Sequence, residues 1–127
     1  MPLSRDEATI REGSVRAFYF RIFREDKHGI KTPVLLADIS TLVLDYFLTS
    51  TEAAINSRTA QDVKNANNVV VTDVGEVKWT MQAADTAQVA ALVAGKQEKH
   101  TAKFKWTLSD GMIGSVRQDF WIISETV

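Results

Sequence analysis

A chain of 127 residues, 45 % apolar and 24 % charged, has the bulk to bury one core and too much apolar content to stay disordered. Its net charge of −1 gives no basic surplus for nucleic acid or an anionic membrane, and no apolar run reaches the length of a membrane span. With no cysteine, disulfides, thiolate metal sites and cysteine nucleophiles are excluded.

The lack of disulfides favours a reducing compartment. Asp6 and Glu7 stand where a signal peptide needs bases. The expectation is one untargeted domain over 1–127, with 1–13 as an N-terminal arm. Within it, Ser4 and Glu7 match a capping box and Gly13 could end a short helix; an extended lead into the first strand fits equally.

Ser14 to Phe23 is rich in β-branched and aromatic residues and reads as a strand. Period two puts Val15, Ala17, Tyr19, Arg21 and Phe23 on one face and Arg16, Phe18, Phe20 and Ile22 on the other. Both faces carry large apolar groups, and a sandwich strand needs only one buried. Either another part of the chain covers the second face, or Phe18, Tyr19, Phe20 and Ile22 supply a subunit interface.

Arg24 to Gly29 is a polar turn, and Val34-Leu35-Leu36 a short extended piece. Ile39 to Thr49 is the next strand, with Leu42, Leu44, Tyr46 and Leu48 as its core face. The polar stretch Ser50 to Asn68 reads as a long structured loop, with a helical turn at Thr59 to Asp62 and Asn67 or Asn68 in a left-handed conformation. Val69 to Thr72 and Glu76 to Gln82 are strands about an Asp73-Val74-Gly75 turn. Asp85 caps a short helix with Val89, Leu92 and Val93 on one stripe and Gly95 beyond its end.

A terminal hairpin completes the chain. His100, Ala102, Phe104, Trp106 and Leu108 alternate with polar residues, Asp110-Gly111 marks the turn, and Val116 to Ile123 returns. The sum is all-β: an antiparallel sandwich of about six or seven strands with one or two short helical turns. Leu44, Trp79, Phe104 and Trp106 form its predicted core.

The chemistry-bearing residues converge on no catalytic or cofactor pattern. His28 and His100 lie in different elements without ligand-spaced carboxylates. Asn56, Asp62, Asn65, Asn67, Asn68 and Asp73 lack the order of an EF-hand loop and suit turns. Asp38, Asp45 and Asp119 are scattered carboxylates. Lys96, Lys99, Lys103 and Lys105 interleave with Phe104 and Trp106, but alternation in a strand sends bases and aromatics to opposite faces. No metal, cofactor or catalytic residue is expected.

Three stretches carry a resemblance. They are Leu42 to Tyr46 leading into Ile55 to Asn68, Gly75 to Asp85, and Glu98 to Thr107. Together, over Ile39 to Ile123, the chain resembles short proteins encoded among the structural genes of tailed bacteriophages. Their immunoglobulin-like sandwich is similar to the N-terminal domain of phage baseplate upper proteins. The resemblance implies a non-enzymatic virion part, assembled in the host cytoplasm, at the capsid, neck, tail or baseplate. Its partners would be copies of itself and other virion proteins. The alternative from a different class is a carbohydrate- or receptor-binding module presenting Tyr19, Tyr46 and Trp121.

Overall fold

The computed structural model describes residues 7–89 and 97–123. The described residues are all-β: ten strands and a single 3-10 turn. The strands are β1 (Glu7–Arg11), β2 (Arg16–Arg21), β3 (Phe23–Glu25), β4 (Lys31–Pro33), β5 (Ile39–Leu48), β6 (Gln61–Asp62), β7 (Val69–Val71), β8 (Glu76–Met81), β9 (Gln97–Leu108) and β10 (Ile113–Ile123). Strands beyond those predicted are β1, in the stretch read as a short helix or an extended arm, and β3, β4 and β6, pieces of two or three residues too short to show a period.

One sheet has the order β1-β10-β9-β5-β6, the second β2-β8-β7, and β3-β4 form a small separate ribbon. Pairing is antiparallel except between β1 and β10, which run parallel from Glu7 opposite Asp119 to Arg11 opposite Ile123. The all-β, mainly antiparallel sandwich is as expected, and the one parallel pair is an addition to it.

The two larger sheets enclose one core. Leu44, Trp79 and Phe104 are fully buried, as alternation predicts. On β5, Leu42, Leu44, Tyr46 and Leu48 point inward as expected. Trp106 differs, lying half-buried at the margin against that core. Its indole covers Gly114, its cross-strand neighbour on β10; a Cβ there would lie 2.5 Å from the indole nitrogen. Two local readings are also corrected. In place of the helical turn expected at Thr59 to Asp62, Thr59 and Ala60 form a bend and Gln61–Asp62 is β6, paired to Leu44 and Val43. Of the piece read as extended, Val34 to Leu36, Leu35 is extended and Leu36 opens a 3-10 turn, Leu36–Asp38. Asn67 and Asn68 do take positive φ, 54° and 74°. Asp85 to Val89 forms turn and bend, and the rest of that predicted helix lies outside the described residues, as does the Ser4 capping box.

Gly75 fixes the β7–β8 turn against the rest of the molecule. Its φ is +78°, and a Cβ at this point would sit 2.4 Å from the carbonyl oxygen of Val34. Backbone blocks the space and the φ disfavours any side chain. Gly75→Ala should therefore destabilise by more than about 1 kcal/mol. A urea midpoint equal to that of the wild type would contradict this packing.

Candidate functional site

Two places stand out: the outer strand β2, which is accessible, and a polar cluster, which is not.

On β2, Phe18 and Phe20 turn inward and Ile22 just beyond follows them. Phe18 packs on Phe104 and Phe120, with ring centroids 6.1 and 5.8 Å away; Phe20 packs on Phe104 and Trp106 at 4.8 and 5.9 Å. Ile22 is wholly buried, so its predicted part in a subunit interface is corrected: it is core. Phe18 and Phe20 belong to the margin of the same core and stay half-exposed. The outward face is carried by Val15, Ala17 and Tyr19, with Tyr19 65 % exposed. Lys78 lies over the Tyr19 ring, and Arg21 pairs with Glu76. Tyr19, Val70, Thr72 and Lys78 line a shallow groove of about 420 Å³ on this face. Of the four predicted interface residues, Tyr19 alone is thus fully presented.

The polar cluster joins β5, β9, the loop after β5 and the corner after β8. Arg58 and Asp85 are 3 % and 0 % exposed and form a two-pronged ion pair, Nε to Oδ1 at 2.6 Å and Nη2 to Oδ2 at 3.0 Å. Such paired hydrogen bonds between ionised groups are the strong kind. Arg58 also donates to Gln61, to the Asn67 carbonyl and to Asn68. Asp85 further accepts from the Gln82 backbone N–H and from Asn56. The guanidinium lies 5.5 Å over the Trp79 ring.

Beside it, Tyr46 Oη lies 2.8 Å from the Asp85 carbonyl and 2.9 Å from His100 Nδ1, while His100 Nε2 lies 2.6 Å from Glu98 Oε1. Burial, with the nearby Asp85 charge, pushes the Tyr46 phenol far up, so it stays protonated. Burial also pushes His100 below its ordinary value, against the opposing pull of Glu98. The tyrosine–histidine–glutamate order looks catalytic on paper. Yet no side chain in it is more than 7 % exposed. It braces the corner between β5, β9 and the turn after β8.

The folded chain holds His100 neutral where an unfolded chain would protonate it. Stability present above the unfolded value, about 6.5, is therefore lost as pH falls. The urea midpoint should drop between about pH 7.5 and about pH 5.5. His100→Gln should flatten that dependence; a wild-type midpoint that does not move would contradict a neutral imidazole.

The remaining candidates are not brought together. Asp45 accepts from the Ala60 N–H, and Asp119 binds Thr101 and lies near Lys99 and Arg117. Asp38 sits in the 3-10 turn. In the Asn-rich loop, Asp62 and Asn65 accept backbone N–H groups, and Asn67 donates to the Asp62 carbonyl. Among the described residues no cluster of His, Asp or Glu has a metal-holding arrangement, and no helix is long and apolar enough to cross a membrane. Lys103 and Lys105 are exposed while Phe104 is buried, which separates bases from aromatics. Lys96 lies outside the described residues. Of the proposed sugar platform, Tyr46 is removed by complete burial. Trp121 is half-buried beneath Lys99, beside a shallow depression with Thr49, Ser50 and Gln97.

Sequence reasoning missed the Arg58–Asp85 pair. Asp85 resembles a helix cap and Arg58 an ordinary loop residue; their partnership spans elements and has no local spacing. The Glu98–His100 pair did leave a signal, two polar residues at i and i+2 on the buried face of a strand. No protein-family model matches the chain, and no curated protein matches it.

Proposed function

We propose that this chain is a non-enzymatic structural component of a bacteriophage virion, an immunoglobulin-like sandwich acting through protein–protein contacts. The observation that carries the structural part is the contrast between its two special places. Its chemically richest cluster lies buried within the sandwich, whereas β2 presents Tyr19 to solvent on its outer face. The strand order supports the immunoglobulin-like reading: β2-β8-β7 stands as B-E-D would, and β10-β9-β5 as G-F-C would. The virion assignment, at capsid, neck, tail or baseplate, rests on the resemblance carried by Leu42 to Tyr46, Ile55 to Asn68, Gly75 to Asp85 and Glu98 to Thr107. Gradient-purified particles probed with an antibody against the chain test it. The protein should co-migrate with particles; its presence in the infected lysate but not in particles would overturn the assignment.

The second reading, a glycan-binding module, keeps one favourable observation, the Trp121 depression. It requires saturable glycan binding that Trp121→Ala removes.

A further inference from the structure

We propose that the free edge of β2 is a strand-addition site for one extended segment of a partner polypeptide, apolar at alternate positions and not basic. This rests on the protein-binding reading above and names the chemistry of the partner.

The backbone supplies the first argument. Ile22 N–H bonds to the Gly75 carbonyl, so Phe20, Phe18 and Arg16, at alternate positions, also direct their backbone groups toward β8. The other side of β8 agrees: Thr72 bonds to Glu76, and Thr80 to Asn68, which leaves Val77, Trp79 and Met81 facing β2. Ala17, Tyr19 and Arg21 must then point their N–H and C=O groups off the open edge. Among the described residues no strand pairs there. The opposite edge of the same sheet is closed off. Val69 N–H bonds to the Ala66 carbonyl, and Val71 N–H to the Asn65 side chain. Exposed edges are usually blunted in this way, and β2 is not.

The second argument is the width of the shelf. The rings of β2 rest on β9 and β10, through Phe104 and Phe120, while β1 lies one strand further out than β10. Alongside Asp119 to Ile123, where β1 pairs, the five-stranded sheet therefore projects past β2 by about one strand spacing, roughly 5 Å. A single strand added to β2 would lie on this shelf. A second whole sandwich brought edge to edge would meet the projecting strands.

The third argument is the chemistry of the rim. Phe18, Phe20, Trp106 and Val116 are the apolar residues left half-exposed along this opening. They suit the inward side chains of an added strand, which point to one face at every second residue. Arg16 stands exposed at the start of the edge and disfavours a basic residue beside it, whereas the charge of Arg21 is matched by Glu76.

The test uses the full chain and an acetylated seven-residue peptide of alternating threonine and valine, followed by backbone amide NMR. The amides of Ala17, Tyr19 and Arg21 should exchange quickly in the free protein. They should shift and gain protection on titration, and those of Arg16, Phe18 and Phe20 should change little. A peptide N-methylated at alternate amides should lose the effect. Ala17→Pro, which removes only an edge-facing N–H, should weaken binding at least tenfold; if that variant misfolds, the N-methylated peptide decides. Three results would overturn the assignment: no shift at millimolar peptide, protection of these amides already in the dilute free chain, or protection that rises with protein concentration alone. The last would give the edge to a second copy. A chain that is found in particles but leaves these amides unshifted keeps the structural reading and loses this one.

Discussion

Asp85→Ala should destabilise the protein by about 3–5 kcal/mol, the range for removing one partner of a buried ion pair. The substitution leaves Arg58, 3 % exposed, facing no counter-ion inside the sandwich. It also deprives the Gln82 N–H and the Asn56 side chain of their acceptor. Asp85→Asn keeps the shape and one acceptor oxygen, and should recover part of the loss. The double variant Arg58→Met with Asp85→Ala should cost less than the sum of the two single changes, since neither member of the pair is then left without its counter-ion. Urea unfolding of the four variants measures this. Strict additivity would show that the pair does not act as a unit.

Trp79→Ala should cost about 3–5 kcal/mol, the usual range for truncating a large buried aromatic. Trp79 touches both halves of the core: its ring meets Tyr46 at 5.1 Å, Phe104 at 5.7 Å and Phe120 at 6.3 Å. Yet its indole N–H is buried with no hydrogen-bond partner among the described residues. An unmade hydrogen bond of this kind costs about 1–3 kcal/mol. Trp79→Phe removes that penalty with part of the volume, so it should lie much nearer to wild type than Trp79→Ala does. Equal losses for the two would mean that the indole nitrogen finds a partner in solution. Trp106→Ala, at the half-open margin, should cost less than Trp79→Ala.

What the sequence made legible follows period. Strands β5, β8, β9 and β10 alternate over six or more residues, and burial follows that alternation along most of them, an exception being Thr101, which is buried on the polar face of β9. Strand β2 alternates too, and its two faces separate as period two requires, but which face met the core depended on the opposite sheet. Ile22 therefore moved from interface to interior. The parallel β1–β10 pair was out of reach, because residues so far apart leave no local trace of their pairing. The same holds for Arg58 and Asp85, whose partnership depends on two loops closing over one another.

The parallel pairing of β1 with β10 has a consequence for how the chain is made. Glu7 meets Asp119, and β10 lies between β1 and β9 rather than at the edge of its sheet. A nascent chain can form the β2-β8-β7 sheet early, but β1 has no neighbour until nearly the whole sequence has left the ribosome. Contacts of such sequence separation are slow to form. Until they do, the growing polypeptide carries unsatisfied strand edges, and association with other nascent chains competes with completion of the sheet.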